Sequence, residues 1–282
     1  MCTFIETSDV KIIIDPSADL GKRRYGLPPH PVEHQALQDF WDKILEYSKI
    51  ADIVIISHYH YDHFSTKFPE QFRGKHLIIK SPYNRINKSQ AMRAASFLST
   101  INRIPRQISI ADGKTYRFGD TIIEFSPPFP HGSLESRLGY VVMTHIRCGG
   151  ESVIHTSDVQ GPMIDAPAVW IASRRPDIVI LDGFSTWLIP EIMSVEQFEH
   201  SLQRAEIILR NTETLLIDHH LVRDLNYAEY MRPLSSKASA LGVKLITAAE
   251  YLGLTPNLLE ARRRELYAMQ ESSSQQVERQ SS

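Results

Sequence analysis

The chain has 282 residues, of which 42% are hydrophobic and 23% charged, enough for one large globular domain or two small ones. Its formal net charge of −2 and pI near 6.6 show none of the basic excess that a broad nucleic-acid surface carries. The only cysteines are Cys2 and Cys148, which excludes a disulfide framework and a thiolate zinc site, so any metal must be held by His and carboxylate.

Val/Ile-rich runs bounded by Asp, Gly, Pro or Ser predict strands along most of the chain. The first two are CTFIET and VKIIID. Charges at Glu6, Asp9, Lys11 and Asp15 break the opening segment, so it lacks the apolar core of a signal peptide. No apolar run approaches the ~18 residues that span a membrane. The expectation is a cytoplasmic chain. Next comes SADLGKRRYGLPPHP, rich in Gly, Pro and charge, which reads as a long loop, either functional or a plain surface excursion.

From Glu33 to Ile50 the residues Leu37, Phe40, Trp41, Ile44, Leu45 and Tyr47 recur at helical spacing. His30 and His34 flank its start as candidate caps. DIVIIS and HLIIK follow as strands, then a helix over Asn87 to Ile101. Pro105 marks a junction between halves. Beyond it lie the strand-like runs QISIAD, TIIEFS, GYVVMTHI, ESVIHTSD, DIVILD, TLLID and VKLITA. A helix from Ser194 to Arg210 begins with a capping-box signature in SVEQ. Another covers Tyr227 to Leu241, which Pro233 is expected to kink or delay, and a last one follows Pro256. The reading is one domain over residues 1–268, in halves of about 1–104 and 105–252 plus a C-terminal helix. Residues 269–282, nearly devoid of apolar side chains, are expected to be disordered. Runs apolar on both faces need cover on both faces. That predicts an α/β four-layer αββα sandwich, two mixed sheets face to face with helices outside.

The chemistry concentrates where the strand of ADIVIISHYHYDHFS ends. His58, His60, Asp62 and His63 follow within six residues. Neutral imidazoles and a carboxylate suit zinc and similar ions, and alternate residues of an extended segment point the same way. Four such groups without a thiolate favour a hydrolytic over a structural site; the competing reading is a solvated polar loop. His131 in SPPFPHG, Asp158 in SVIHTSDVQG and the pair His219–His220 in TLLIDHH each follow a strand-like run, where α/β proteins build their sites.

Together these residues resemble the metallo-β-lactamase-fold hydrolases, in which H-x-H-x-D-H is followed by a lone His, an Asp and a final His. The likeness covers about residues 1–250, with Asp15 in IIIDPS resembling the early Asp turn that braces the metal loop. RRYGLPPHP, SDVQGP and LLIDHHLVRD look like an archaeal branch of metallo-hydrolases, a likeness that brings no substrate with it. Many members begin with an extra strand ahead of the equivalent of CTFIET, which leaves the edge of the first sheet open. The resemblance implies two divalent ions, zinc foremost with iron or manganese tolerated. His58, His60 and His131 would hold one and Asp62, His63 and His219 the other, with Asp158 bridging. His219 is preferred over His220 as the last ligand, because LLIDH parallels VIISH; His220 would then face substrate or support a ligand.

The function implied is hydrolysis of an ester-like or phosphodiester bond by a metal-bridging hydroxide, with Asp62 orienting the water. The substrate is a small molecule or phosphodiester. Alternatives are a non-catalytic metal-binding scaffold, or a nuclease or phosphodiesterase acting on nucleic acid, for which the charge gives no indication. A diiron oxidoreductase would replace His60 by an acidic residue. No membrane partner is expected, and the oligomeric state stays open. Arg223, in LVRD, could bind an anion or pair with Asp224. Arg23, Arg24 and Tyr25 could cover a phosphate or lie idle on the surface. His145 and His155 read as satisfied strand histidines, His155 also as a support for the site, and Cys148 as structural.

Overall fold

The computed structural model describes residues 1–280. The first half alternates strand and crossover. β1 (Thr3–Glu6) pairs antiparallel with β2 (Lys11–Ile14). α1 (Pro31–Ile50) leads into β3 (Ile53–Ile56), a one-turn helix at Pro69–Phe72 into β4 (His76–Ile79), and α2 (Lys88–Thr100) into β5 (Gln107–Ile110). β2 to β5 are parallel and adjacent, giving a five-stranded sheet in the order β1-β2-β3-β4-β5. The strand after Pro105 therefore completes this first sheet. The change of sheet falls between Ile110 and Thr115, not at Pro105, because β5 still pairs with β4.

The second half continues with β6 (Thr115–Phe118) and β7 (Thr121–Phe125), then a two-stranded ribbon of β8 (Phe129–Pro130) and β9 (Tyr140–Val141). It goes on through β10 (Thr144–Cys148), β11 (Glu151–His155), α3 (Asp165–Ala172), β12 (Ile178–Leu181), α4 (Val195–Leu209), β13 (Thr214–Ile217), α5 (Tyr227–Leu241), β14 (Lys244–Ile246), α6 (Ala248–Tyr251) and α7 (Arg263–Gln280). These strands form a seven-stranded mixed sheet, β14-β13-β12-β11-β10-β7-β6. All eleven strand-like runs of the sequence reappear as strands. GYVVMTHI divides into β9 and β10, and β6, β8, α3 and α6 were not anticipated.

Alternation within single strands builds the four layers. Ile12 and Ile14 of β2 join Ile53, Ile55 and Ile78 in a cluster with Ile123, Phe125 and Ile146 of the second sheet. Ile13, between them, faces the other way into a cluster with Val54, Ile56, Leu77, Ala94 and Phe97 under α2. The far face of the second sheet packs Val179, Leu181, Leu215 and Ile217 against Ala168, Phe198, Ala205, Ile208 and Leu234 of α3, α4 and α5. Strands buried on both faces explain the unbroken apolar runs IVII, IVIL and TLLI.

The helix ends follow their sequence signals. His30 caps α1: its Nδ1 accepts from Val32 N–H at 3.3 Å while Glu33 Oε2 accepts from His30 N–H at 2.8 Å. Ser194 and Gln197 form the same reciprocal box on α4. α5 runs through Pro233 and covers the span read from sequence. α7 runs on to Gln280, across residues expected to lack structure. Glu, Gln, Met and Arg are good helix formers, and the helix is anchored at its first residue, Arg263, which is fully buried. Ser281 and Ser282 lie outside the described residues.

Candidate metal centre

The C-terminal ends of strands from both sheets meet at one end of the sandwich, where open α/β sheets place their ligands. Asp15 follows β2, His58 follows β3, His131 follows the ribbon strand β8, Asp158 follows β11 by three residues, Asp182 follows β12, and His219 and His220 follow β13. The turns are tight. Asp15, Ser157 and His219 adopt φ of +50°, +55° and +30°. Non-glycine residues seldom hold the left-handed region, and they do so where the surrounding structure dictates side-chain direction.

The eight residues of the sequence-derived site converge, and they fall into groups. One ligand atom each from His58, His60, His131 and Asp158 lies within 4.8 Å of the others. A second such group is Asp62, His63, Asp158 and His219. Asp158 belongs to both. Its Oδ2 stands 3.2 Å from His63 Nε2, 3.2 Å from His131 Nε2 and 3.8 Å from His58 Nε2. His219 Nε2 lies 3.5 Å from Asp62 Oδ2 and 3.8 Å from Asp158 Oδ1.

Fit to a metal can be judged from unmet hydrogen bonding. Buried polar atoms without partners are rare in folded proteins. Here His58 Nε2, His63 Nε2, His219 Nε2 and Asp158 Oδ1 are all buried without one, and all aim into the same space. The outward sides of the His58 and His63 rings are bound instead. His63 Nδ1 donates to Asp15 Oδ2 at 2.8 Å. His58 Nδ1 lies 3.1 Å from Ser57 Oγ and 3.2 Å from Ser157 Oγ, and those two hydroxyls touch across the sheets at 2.6 Å. Ser57 in turn donates to both oxygens of Asp15, from N–H at 2.7 Å and from Oγ at 2.6 Å. Bonding Nδ1 outward leaves each Nε2 lone pair inward, the arrangement that supports ligating histidines. The residues fit divalent cations, and Asp15 is the brace that the IIIDPS turn implied.

The aromatic spacers of HYHYDHF anchor the loop. Tyr59 is buried with its hydroxyl on the Lys80 carbonyl at 2.6 Å, and its N–H donates to Gln90 Oε1. Tyr61 stacks on Phe64 under the Arg93 guanidinium.

Electrostatics follow from the crowding. Burial, then the neighbouring His63, push His58 well below the ordinary imidazole value. Burial drives His60 down to about 4 and His220 to about 3. His63 is the exception. Burial opposes its charge, but Asp158, Asp62 and Asp15 outweigh that and lift it to about 10. Three carboxylates around one ring, Asp15 at Nδ1 and Asp62 and Asp158 at Nε2, call for a cation on the Nε2 side, proton or metal. Asp158 stays well below the usual carboxylate range because His63, His219 and His220 more than offset its burial.

His220 turns away from the second group. Its Nδ1 donates to Asp182 Oδ2 at 3.0 Å, leaving Nε2 3.8 Å from Asp158 Oδ2. Asp182 is fully buried, accepts from the Gln160 N–H at 2.6 Å, and is pushed well above the carboxylate range by burial and by Asp158. The sequence reading missed Asp182. Its signal was available: Asp closes the strand DIVILD as it closes IIID, and a glycine follows. Ser57, Ser157 and Trp187 were also missed, having no motif to mark them.

The other candidates separate cleanly. Arg223 does not pair with Asp224, which instead accepts from Thr186 Oγ1 at 2.7 Å. Its guanidinium lies 3.8 Å from Asp62 Oδ2 and 3.9 Å from Glu260 Oε2. Arg24 reaches across to the Arg223 carbonyl at 2.8 Å. Tyr25 donates to the Ala261 carbonyl at 3.2 Å, and Arg23 is exposed. His155 is satisfied by the Met1 carbonyl and the Ser157 N–H, and His145 faces Glu124. Cys148 contacts Ser8 Oγ at 3.3 Å, away from the centre.

Two face-to-face mixed sheets with a His/Asp cluster at their strand ends define a metallo-β-lactamase-fold protein. Residues 1–190 match the family model described as Beta-lactamase superfamily domain, and the chain belongs to that superfamily. The archaeal branch is equally plain. The chain is 42% identical over 270 residues to a UPF0282 protein of Saccharolobus solfataricus, covering 94% of this chain and 87% of that one. It is 43% identical over 270 residues to a UPF0282 protein of Sulfurisphaera tokodaii, with the same coverage. Among solved structures, CmlA, described as a diiron beta-hydroxylase from Streptomyces venezuelae, aligns with a TM-score of 0.52 at 13% identity. That alignment covers 87% of this chain and 51% of CmlA, so the chain spans about half of that protein's length and shares its fold. Among the described residues, no helix is long and apolar enough to cross a membrane.

Proposed function

We propose that the chain is a metal-dependent hydrolase that cleaves an ester-like or phosphodiester bond using two divalent ions, zinc foremost. The observation that carries this reading is that two compact groups of ligand atoms share Asp158, with His58 Nε2, His63 Nε2, His219 Nε2 and Asp158 Oδ1 buried without a hydrogen-bond partner. His58, His60, His131 and Asp158 would hold one ion, and Asp62, His63, His219 and Asp158 the other. Bound divalent ions supply an activated water at neutral pH and stabilise charge developing on oxygen.

The chain's own residues do the rest. Asp15, Ser57 and Ser157 fix the His58 and His63 rings before any ion arrives. Asp62 is 26% exposed against 2% for Asp158, so it is the carboxylate that faces the entrance. It is placed to orient the attacking water and accept its proton. His220, gripped by Asp182, presents Nε2 beside Asp158 as a neutral acceptor that positions water or a substrate hydroxyl.

Elemental mass spectrometry on protein purified without chelator tests this. About two ions per chain, falling in Asp158→Ala, is the expected result. No metal, even after zinc or manganese is added, would overturn the reading and leave a scaffold.

A further inference from the structure

Beside the metal centre lies a cationic rim that the hydrolytic site does not use. Arg223 lies on the 3-10 turn Leu221–Arg223, immediately after His220. Arg24 comes from the loop between β2 and α1, at a backbone bridge between Arg24 and Leu27. The two meet on one indole. The Arg24 guanidinium carbon is 5.1 Å and that of Arg223 5.7 Å from the Trp187 ring centroid, and the same ring lies 6.0 Å from the His220 ring.

Among the described residues, neither guanidinium makes a hydrogen bond to a carboxylate. Among the described residues, the Arg223 side chain makes no hydrogen bond, its carboxylate neighbours standing at 3.8 and 3.9 Å. Among the described residues, the Arg24 guanidinium has no carboxylate within 4 Å and makes one hydrogen bond, to the Arg223 carbonyl; its Nε is buried and unpartnered. An arginine fork is normally filled by a carboxylate or phosphate. Two forks, one with a buried open donor, share an aromatic platform, and one of them, Arg223, lies within ion-pair range of the proposed ligand Asp62.

We infer that Arg223 and Arg24, seated on Trp187, bind a phosphate oxygen of the substrate, and that the substrate class is therefore phosphodiester and not neutral ester or lactone. The inference rests on the hydrolase reading for its catalytic half and on the rim alone for its binding half. A phosphodiester keeps a negative non-bridging oxygen throughout the reaction, and a guanidinium beside Asp62 can hold it while the bond to the leaving group stretches. A neutral ester offers these two cations nothing to pair with. No atom is transferred to either arginine.

The test pairs binding with turnover on metal-loaded protein. Inorganic phosphate is titrated by calorimetry against wild type, Arg223→Ala, Arg24→Ala and Arg223→Lys. Lys43→Ala, on the exposed face of α1, controls for bulk charge. Both alanine variants are expected to weaken phosphate by at least 10-fold at unchanged metal content, and Arg223→Lys to recover part of that loss. The same variants should lose kcat/KM for bis(p-nitrophenyl) phosphate in the same order. Phosphate affinity within 2-fold of wild type in both alanine variants overturns the inference, whatever the turnover. Loss of phosphate binding in a protein that turns over no diester leaves the anion site standing and removes the hydrolase reading. Full diester turnover by both variants does the reverse.

Discussion

At the scale of single residues, the pair His219–His220 shows how one dipeptide serves two ends. His219 takes a left-handed backbone, φ +30°, and thereby turns its Nε2 toward Asp62 and Asp158. His220 keeps an ordinary backbone and is captured by Asp182. His219→Ala should lower bound metal from about two ions to about one. His220→Ala should keep both ions and lose roughly 10²-fold or more in kcat, which metal analysis beside steady-state kinetics will separate. Away from the centre, His145 is buried against Glu124 and Arg174, and burial lowers it to about 4. The unfolded chain therefore binds a proton at His145 between about pH 6.5 and 4 that the folded chain refuses. Stability is undiminished above that window and falls as pH drops through it. His145→Gln should recover about 1–2 kcal/mol of the stability lost between pH 7 and 5, read from urea midpoints of metal-free protein.

Among elements, the strand-to-turn junctions govern the site. Gly183 follows Asp182 at φ +86°, and a methyl group there would stand 2.8 Å from Leu221 Cβ and 2.9 Å from the Asp218 carbonyl oxygen. Backbone cannot swing aside as a long side chain can. Gly183→Ala should destabilise by about 2–4 kcal/mol and loosen both the Asp182–His220 bond and the turn bearing His219; thermal unfolding and metal content report the two effects. These junctions also explain what was readable beforehand. H-x-H-x-D-H was legible because its residues fall within six positions and follow an apolar run. His131, Asp158 and His219 were legible because each polar residue interrupts a strand-like pattern. Asp182, Ser57 and Ser157 act through contacts made only after the sheets pack. The Ser57–Ser157 bond joins residues 100 positions apart, and no local pattern records it. β6 escaped notice because Lys114 and Arg117 mask a half-buried alternation that the second sheet's edge tolerates.

Over the whole molecule, a buried ion pair ties the C-terminal helix back to the first half of the chain. Arg263 donates from Nε and Nη2 to Glu33, both at 2.7 Å, with both side chains essentially inaccessible. The same guanidinium holds the carbonyls of Leu27 at 3.1 Å and Gly21 at 3.2 Å. One side chain of α7 thus fastens α1 and the loop carrying Arg24 and Tyr25. Arg263→Met would strand a buried carboxylate and should cost about 3–5 kcal/mol, much of it restored by adding Glu33→Leu. Protease digestion should then cut first within residues 17–30 in the single variant. The layered architecture was legible from strand count and apolar runs. This closure was not, since an Arg in a polar C-terminal stretch looks like solvated surface until a partner 230 positions away is known.

That clasp also sets an order of assembly during synthesis. A chain leaves the ribosome N-terminus first, at about 5–20 residues per second. Every proposed ligand, through His219, has been made before Arg263 is translated. In order of synthesis, every proposed ligand thus precedes the residue that fastens the loop bearing Arg24. Arg263 follows seconds later, so the contacts that fasten that loop to α7 are among the last that synthesis makes possible.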